Sequence, residues 1–411
     1  MRTLLTNSGT GKIYASALAM RELGFKRVLF LVHRVTLAKQ AKKSFEKVFD
    51  KKVTMGLVGA GFYEYEKDYV FATVETLNRD THLFQYQPNA FDCIILDEAH
   101  HSSNNIYTKV INYFNPKLFL GMTATPDKRD DNQEGKNIYE IFHYQIAHEI
   151  RLKQAMEDNL LCPFHYFGIS EVVSLDDKTL QAAKLTDEEF NQLTSDERVR
   201  HVIEQSEYYG YSGDRVRGLI FCSRVKECEE LSRKFNALGY RTIALSGADN
   251  EEKRQEAFER LAMDEADATE EMQPLDYIFS RDILNEGVDI VEVNQVIMLR
   301  PTESPIIFIQ QLGRGLRKAE GKEFVVIIDF IGNYRKNFMI PIALSGDLSY
   351  NKDNIRRYVT EGGRVIPGAS TIHFDEVSRK RIFQAIDNAN FSDIKLIREN
   401  YTNLKKCYLL K

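Results

Sequence analysis

The amino-acid sequence predicts an α/β fold with two parallel-sheet domains in tandem and a small C-terminal extension. Its 411 residues are enough for two or three domains of ordinary size. Within 1–150, short apolar segments alternate with helical segments, which is the pattern of a parallel sheet covered by helices. The alternation begins again after residue 210, so we expect a second sheet of the same kind.

The first domain is predicted to occupy 1–150. Its strand candidates are short runs of apolar, β-rich residues. Leu37–Phe49 carries apolar residues at helical spacing and is predicted to be an amphipathic helix. The predicted strands are Thr3–Leu5, Val28–Val32, Val70–Thr73, Cys93–Leu96 and Leu118–Met122.

The second domain is predicted to occupy 211–340, and an extension of unknown fold follows at 341–411. Between the domains, 151–210 contains polar helical material rich in Asp, Glu and Gln and is predicted to be a helical connector. The acidic stretch Glu265–Gln273 is predicted to be a loop. The predicted strands of the second domain are Leu219–Phe221, Thr242–Leu245, Tyr277–Phe279, Gln295–Leu299 and Phe324–Ile328.

The composition indicates an ordinary soluble globular protein, with 43% hydrophobic residues and a net charge of −5. The longest apolar runs are far shorter than the ~20 residues of a membrane-spanning helix, and no secretion signal is visible. We therefore expect a cytoplasmic protein. Residues 351–411 carry twelve bases and seven acids, so the negative total does not exclude a nucleic-acid partner.

The run Ser8-Gly9-Thr10-Gly11-Lys12 is typical of a phosphate-binding loop. It follows a short apolar run and precedes a helical segment, so backbone amides and a helix N-terminus would surround phosphate groups. Lys12 would reach the β- and γ-phosphates of a nucleotide. A plain turn is the alternative interpretation of so short a string.

Two adjacent acids, Asp97 and Glu98, follow an apolar strand about 85 residues after the loop. Asp97 can bind Mg²⁺, and Glu98 can polarise the water that attacks a phosphate. Adjacent acids on a loop are usually solvated surface residues, but their register with a phosphate-binding loop indicates nucleotide hydrolysis. His100 is predicted to be a polar contact between the nucleotide site and its surroundings.

The order and spacing of the motifs resemble superfamily 2 helicases of the DEAD/DEAH-box type over about residues 3–335. The matching motifs are II (Asp97-Glu98-Ala99-His100), III (Thr123-Ala124-Thr125), VI (310–317), Ia (31–34), Ib (72–77), IV (221–224) and V (285–289). Two further stretches, 299–305 and 329–333, resemble a narrower bacterial group related to the helicase subunits of type III restriction enzymes.

The resemblance implies two RecA-like domains with ATP and Mg²⁺ in the cleft between them. Arg314 and Arg317 would reach the nucleotide from the second domain as arginine fingers, which accelerate phosphoryl transfer by ~10³–10⁵. The further roles that the resemblance implies are catalysis for Gln310, nucleotide contact for Ile13, Gly287 and Asp289, and coupling of hydrolysis to domain movement for His100, Thr123 and Thr125.

The resemblance also implies that Arg34, Thr73, Ser223 and Arg224 contact the phosphates of a nucleic acid. Such contacts position the strand without recognising its sequence. Because the narrower group acts on DNA, duplex DNA is the expected partner, and RNA is the alternative. A nuclease domain is often joined to the helicase core in that group, but no H-x-K nuclease motif occurs in this sequence, so a nuclease would lie outside the chain.

The sequence departs from the family pattern in two places. Ile13 replaces the Ser or Thr whose hydroxyl binds Mg²⁺, and an isoleucine cannot coordinate a metal ion. The adenine-recognition motif that precedes the loop in relatives is missing, and 396–401 resembles the middle of a longer helical region, so we expect truncation at both ends. Two interpretations follow: an ATP-driven motor on DNA, or a hydrolysis-impaired nucleic-acid clamp with the same fold.

Overall fold

The computed structural model divides into two compact units, Met1–Arg151 and Leu152–Phe391. Each unit is built around a mainly parallel sheet. The structure describes residues 2–7, 11–49, 53–99, 105–123, 138–150, 152–182, 184–281, 290–302, 305–347, 349–361 and 369–389.

The first unit contains an eight-stranded sheet among its described residues. Its strands are β1 (Arg2–Asn7), β2 (Val28–Val32), β3 (Met55–Gly59), β4 (Phe62–Tyr63), β5 (Tyr69–Thr73), β6 (Cys93–Leu96), β7 (Leu118–Thr123) and β8 (Ile146–Ile150). Their spatial order is β4-β3-β5-β2-β6-β7-β1-β8, and every pairing is parallel except the β3–β4 hairpin. The carboxyl ends of the parallel strands therefore lie at one edge of the sheet.

Helices of the first unit cover both faces of this sheet. They are α1 (Lys12–Leu23), α2 (Val35–Glu46), α3 (Val74–Leu77), α4 (Asp80–Leu83), α5 (Asn105–Tyr113) and α6 (Ile138–Ile141). Leu29 and Leu31 pack in the same apolar layer as α3 and α5, whereas Phe30 packs with α1 and α2. Burial on both faces explains why the central strands are continuous apolar runs in the sequence.

The second unit contains a seven-stranded sheet among its described residues, and every pairing is parallel. Its strands are β9 (Phe164–Ser170), β10 (Gly218–Phe221), β11 (Thr242–Leu245), β12 (Tyr277–Ser280), β13 (Gln295–Met298), β14 (Val325–Ile331) and β15 (Thr371–Phe374). Their spatial order is β11-β12-β10-β13-β14-β9-β15.

The helices of the second unit are short or moderately long. They are α7 (Leu152–Glu157), α8 (Asp177–Gln181), α9 (Asp187–Leu193), α10 (Asp196–Tyr209), α11 (Val225–Ala237), α12 (Glu251–Ala262), α13 (Pro305–Gly315), α14 (Met339–Ser345), α15 (Lys352–Glu361) and α16 (Glu376–Asn388), with a 3₁₀ turn at Glu265–Asp267. Within the described parts of the chain, no helix has the length and apolar character needed to cross a membrane.

The two parallel sheets confirm the predicted fold class, and each predicted strand overlaps an observed one. The apolar-run criterion misses β3 and β8 for different reasons. β3 contains Gly56 and Gly59, which weaken β-propensity, and β8 is an edge strand whose side chains are exposed or half-buried. Neither strand has the uninterrupted apolar pattern of a strand buried on both faces.

The segment 151–210, expected to be a helical connector, instead contributes a strand to the second sheet. β9 lies between β14 and β15 and is paired with β14 along its whole length. Its burial alternates along much of the strand, so it lacks the continuous apolar run used to predict strands. The predicted extension at 341–411 likewise contains β15, which forms the edge of the same sheet.

A buried carboxyl group lies within the second sheet. Asp329 of β14 is 2% exposed, and its Oδ2 accepts a hydrogen bond of 2.6 Å from the Tyr166 hydroxyl group on β9. Burial raises the pKa of Asp329 to about 7, although the hydrogen bond from Tyr166 acts in the opposite direction. The folded chain therefore releases this proton only near neutral pH.

We expect Asp329→Asn to remove a pH-dependent cost of folding. Because the pKa is raised above its unfolded value of about 3.9, the folded state binds the proton more tightly and stability falls as pH rises from about 4 to about 7. The variant should therefore gain more stability over wild type at pH ~8 than at pH ~5, measured as urea midpoints.

Asp353→Asn is the matched control, because it removes an exposed carboxylate of the same unit. Its difference from wild type should be similar at the two pH values. A pH response as large as that of Asp329→Asn would contradict the assignment of the effect to the buried group.

Candidate functional site

Five of the predicted site residues of the first unit lie at the carboxyl edge of its sheet. Asp97 and Glu98 follow β6 directly, Thr123 is the last residue of β7, and Gly11 and Lys12 come after β1. β7 pairs with both β6 and β1, so these residues follow three neighbouring strand ends. This edge is where ligands bind in open α/β sheets.

The start of α1 is arranged to receive an anion. Gly11 precedes the helix with a φ of 79°, a left-handed conformation that favours glycine. Among the described residues, no side chain caps this helix, and no acid lies in its first turn. The first backbone N–H groups and the positive end of the helix dipole therefore favour a negatively charged ligand.

Lys12 lies between two carboxylates. Its Nζ is 3.0 Å from Glu98 Oε1 and 3.3 Å from Asp97 Oδ1. The three side chains keep only 14%, 12% and 7% of their surface exposed, for Lys12, Glu98 and Asp97 in turn. We refer to these three residues as the Lys12 cluster, and with one cation and two carboxylates it carries a net negative charge when all three are ionised.

The pKa values show how the members of the Lys12 cluster depend on one another. Burial lowers the pKa of Lys12, but the charges of Asp97 and Glu98 outweigh it, so the net shift is upward. Burial raises the pKa of Asp97, the Glu98 charge acts in the same direction, and Lys12 opposes both. Lys12 therefore stays charged, and a second cation would stabilise the ionised carboxylates.

The backbone at Glu98 is strained. Its φ of 49° lies in the left-handed region, which costs a non-glycine residue about 1–3 kcal/mol. The backbone N–H of the preceding residue, Asp97, donates to the carbonyl oxygen of Leu31 in the neighbouring strand β2, at 2.9 Å. This turn directs the Glu98 carboxylate to Lys12. Strain of this kind is concentrated at functional sites.

The Lys12 cluster fits a nucleoside triphosphate with a divalent cation. Apart from its 3.3 Å ion pair with Lys12, the buried Asp97 Oδ1 accepts no hydrogen bond from the described residues. Carboxylate oxygens are the ligands that Mg²⁺ prefers, and an ammonium group beside a helix N-terminus suits phosphate oxygens. The residues that would bind the two groups are Asp97 for the metal ion and Gly11 and Lys12 for the phosphates.

Ile13 contributes to the core of the first unit. It is half-buried and packs against the apolar layer that contains Ala17 and Met20. The nearby hydroxyl group of Ser16 is buried and donates to the carbonyl oxygen of Ile13 at 2.7 Å. The Ser16 hydroxyl group is therefore already hydrogen-bonded within α1.

Several predicted residues lie outside the described parts of the chain, and their roles stay predictions. They are Ser8, Gly9, Thr10, His100, Thr125, Gly287 and Asp289. Gln310 lies in α13, but its side chain is also outside the described part. Thr123 is described and is fully buried.

The two predicted arginine fingers lie at the end of α13 in the second unit. Arg314 is in the last helical turn, and Arg317 follows the helix. Both are half-buried and interact within the chain. Lys322 Nζ donates to the carbonyl oxygens of Gly315 and Val293, at 3.1 Å each, and thereby anchors this end of α13. Burial lowers the pKa of Lys322 to about 8.

The predicted phosphate contacts of the first unit differ in exposure. Arg34 is half-buried and precedes α2 as its N-terminal cap residue. Thr73 is only 5% exposed, and its Oγ1 accepts a hydrogen bond from the Thr76 backbone N–H and donates to Thr76 Oγ1. This hydroxyl group therefore caps α3, a role that does not support a direct phosphate contact.

The predicted contacts of the second unit follow β10 at the equivalent position. Arg224 precedes α11, and its Nη2 donates to the carbonyl oxygens of Leu180, at 2.9 Å, and Ala182. Its guanidinium group is therefore engaged with the end of α8. Ser223 Oγ is buried and has no hydrogen-bond partner among the described residues.

A buried ion cluster is hydrogen-bonded to the backbone of Ser223 and Arg224, and it was not predicted from the sequence. Arg198 of α10 is 1% exposed, and its Nη2 lies 2.7 Å from Glu171 Oε2 and its Nη1 2.7 Å from Glu227 Oε1. Glu227 Oε2 accepts the backbone N–H groups of Ser223 at 2.9 Å and Arg224 at 3.3 Å. The Arg198 cluster, comprising Arg198, Glu171 and Glu227, therefore orients the loop after β10.

One member of the Arg198 cluster had a recognisable signal. Glu227 is the third residue of α11, where an acid commonly accepts hydrogen bonds from the residues that precede the helix. Arg198 and Glu171 are 27 residues apart and share no local pattern. They meet only in the folded second unit, where α10 lies beside the end of β9.

Two family models match the chain. Residues 3–128 match the type III restriction enzyme, res subunit, and residues 199–319 match the helicase conserved C-terminal domain. The first match includes the Lys12 cluster, and the second includes Ser223, Arg224 and α13. The matched regions lie one in each compact unit.

Curated relatives are similar over most of this chain. It is 25% identical over 348 residues to IRC3 of Saccharomyces cerevisiae, whose name describes an ATP-dependent helicase. It is 24% identical over 365 residues to the EcoAI type I restriction enzyme endonuclease subunit of Escherichia coli. Each alignment covers 80% of this chain, but only 48% of IRC3 and 43% of the EcoAI subunit. The chain thus spans less than half the length of these relatives.

Solved structures share the fold. The ATP-dependent type ISP restriction-modification enzyme LlaBIII, bound to DNA, has a TM-score of 0.63 at 19% identity, covering 94% of this chain and 31% of that chain. Dbp5 of S. cerevisiae, bound to RNA and ADP BeF3, has a TM-score of 0.57 at 15% identity, covering 93% of this chain and 89% of that chain.

We expect Arg198→Met to destabilise the second unit by about 3–5 kcal/mol, because it leaves the Glu171 and Glu227 carboxylates buried without a counter-charge. Urea titration measures the free energy of unfolding, and hydrogen exchange of peptides from α10 and α11 measures the local loss of protection. Arg233→Met is the control, because it breaks an exposed pair with Glu230 on α11 and should change protection little. Equal loss of protection in both variants would be inconsistent with a central role for the Arg198 cluster.

Proposed function

Since this chain carries the two helicase domains of superfamily 2, the first of the type found in res subunits of type III restriction enzymes, we propose that it is an ATP-dependent motor on nucleic acid. It binds ATP with Mg²⁺ and couples hydrolysis to translocation along duplex DNA or to its unwinding. The Lys12 cluster, at the carboxyl edge of the first sheet, is the observation that carries the proposal.

In the proposed reaction, each member of the Lys12 cluster has one task. Lys12 leaves the carboxylates and binds the β- and γ-phosphates, while Asp97 binds Mg²⁺. Mg²⁺ held by Asp97 would neutralise charge on the phosphate oxygens. Glu98, released from Lys12, accepts a proton from the water whose oxygen bonds to the γ-phosphorus, while the bond from that phosphorus to the β–γ bridging oxygen breaks and ADP leaves. When the nucleotide binds, contacts to its phosphates and to the metal ion would replace the ion pairs that Lys12 makes with Asp97 and Glu98.

The second domain supplies the remaining charge in this proposal. Arg314 and Arg317 contact the γ-phosphate when the two domains close on the nucleotide, as in the family. Lys322 supports them, since it fixes the end of α13 through backbone carbonyl oxygens. The remaining proposed roles are catalysis for Gln310, nucleotide contact for Gly287 and Asp289, and coupling for His100, Thr123 and Thr125.

Duplex DNA is the proposed partner. The EcoAI subunit is named as part of a restriction enzyme, and LlaBIII is described bound to DNA. Of the four proposed phosphate contacts, Arg34 is the best candidate, because Thr73 caps a helix, Arg224 binds carbonyl oxygens of its own unit and Ser223 Oγ is buried. The same relationship to restriction enzymes supports a nuclease domain or subunit outside this chain as a further partner. Competition between DNA and RNA for binding distinguishes the two nucleic acids.

A second candidate function is a nucleic-acid clamp without turnover. Ile13 favours it, because its side chain packs into the core and offers no oxygen to a metal ion. Such a chain would still bind nucleotide through Lys12 and the start of α1. The two functions differ in one measurable respect, which is phosphate release from ATP.

We expect Glu98→Gln to abolish DNA-stimulated ATP hydrolysis, with a loss of about 10²–10⁴-fold, because the amide cannot accept the proton of the attacking water. Phosphate release with Mg²⁺, with and without duplex DNA, measures the rate. Glu22→Gln is the control, because it changes an exposed glutamate of the same unit.

The outcome separates the two candidate functions. Stimulated release by wild type and by Glu22→Gln, but not by Glu98→Gln, supports the motor. No release by wild type, with DNA binding retained, supports the clamp. Equal release by wild type and Glu98→Gln would remove Glu98 from the proposed reaction.

We expect Ile13→Thr to raise the hydrolysis rate about tenfold, equivalent to ~1.4 kcal/mol of barrier, because its hydroxyl group restores a Mg²⁺ ligand. The half-saturating Mg²⁺ concentration should fall at the same time. Ile13→Val is the matched control, because valine has the branched shape of threonine without the oxygen. An increase in both variants would assign the effect to packing against the core rather than to metal binding.

A further inference from the structure

The β3–β4 hairpin forms a rigid tip at one edge of the first sheet. Val58 pairs with Tyr63 and Gly59 with Phe62, so the turn has two residues. Ala60 and Gly61 both have positive φ angles, 48° and 88°, as a type I′ turn requires. Such a turn matches the twist of its strands, so the orientation of the tip is well defined.

Two aromatic residues on β4 are exposed. Phe62 keeps 40% and Tyr63 keeps 56% of its surface accessible. Successive strand residues point to opposite faces, and the contacts agree. Tyr63 stacks on His82, with ring centroids 5.4 Å apart and planes 2° apart, whereas Lys39 Nζ lies over the Phe62 ring, 5.1 Å from its centroid. Phe62 is thus the aromatic residue on the side of α2.

Phe62 contacts a helix that carries exposed lysines and that begins directly after Arg34, a proposed phosphate contact. α2 presents Lys39 and Lys43 as exposed residues, and the exposed Lys47 follows the last residue of the helix. Lys39 lies five residues after Arg34, which is about 7.5 Å along the helix. On the other side, an added Cβ at Gly59 would lie 3.0 Å from Thr73 Oγ1, so the hairpin packs directly against the start of α3.

We infer that Phe62 is a base-stacking site for single-stranded nucleic acid, an inference that rests on the proposed function. An aromatic ring beside lysines suits a strand whose phosphates meet the cations while a base stacks on the ring. The bases of an intact duplex hide their faces in the stack, so the ligand is an unpaired base. Strand addition is a poorer use of this edge, because β4 is only two residues long.

Oligonucleotide binding to the full chain tests this site. The probe is fluorescein-labelled oligothymidylate, compared by anisotropy with an abasic strand of the same length. Phe62→Ala should weaken binding of the oligothymidylate about 5- to 150-fold, the range expected for loss of one stacked base, and should leave binding of the abasic strand unchanged. Phe62→Trp should retain the wild-type affinity. Phe84→Ala removes another exposed aromatic residue of the same unit and should retain it too.

Each other outcome overturns a defined part of the inference. If Phe62→Ala binds oligothymidylate as wild type does, the ring takes no part. If it weakens binding of both strands equally, the hairpin contributes a backbone contact or a fold defect instead of stacking. If wild type binds a labelled DNA duplex of the same length but neither single strand, this site fails and the proposed function stands. If wild type binds none of the three probes, the proposed function fails together with this site.

Discussion

Parallel pairing of strands is the constraint on which both units depend. Each crossover returns the chain to the same end of the sheet, so residues far apart in sequence meet where parallel strands end. In the first unit, the ends of β1 and β6 meet on either side of β7, and the residues that follow form the Lys12 cluster. In the second unit, the ends of β9 and β10 and the starts of two helices form the Arg198 cluster. Sheet topology thus builds a charged site in each unit.

The two clusters contain the same kinds of charge but differ in how completely they are hydrogen-bonded. Arg198 also donates to the carbonyl oxygens of Leu193 and Leu299, and Glu227 also accepts two backbone N–H groups. A buried ion pair with its remaining hydrogen-bonding groups satisfied is a rigid structural element. In the Lys12 cluster, Asp97 Oδ1 accepts no hydrogen bond from the described residues apart from its ion pair with Lys12, and the backbone at Glu98 is strained. Such a cluster is suited to exchange its ion pairs for a ligand.

Local patterns made most of the fold and part of the site predictable. Central strands such as β2 and β6 are buried on both faces, so each forms a continuous apolar run that can be recognised without a structure. The edge strand β8 has exposed or half-buried side chains, and β9 mixes buried with half-buried ones. Neither strand therefore has the continuous apolar run that the criterion requires. Lys12 and Asp97 were predictable because each belongs to a compact motif. The Arg198 cluster was not, because its members come from separate elements that only the assembled sheet brings together.

The two units repeat one local arrangement with different consequences. A strand is followed by an arginine and then by a helix that begins with valine, at Arg34 before α2 and at Arg224 before α11. In the second unit, an acid in the third helical position and a nearby helix end both bind this segment, so the Arg224 side chain is fixed. α2 has no acid in its first turn. The charge at the start of α2 is therefore not neutralised by its own helix, and this end of the first unit attracts anions more strongly. Sequence similarity between the repeats predicts the same position for both arginines, but the residues that follow decide whether the arginine side chain is fixed to its own unit.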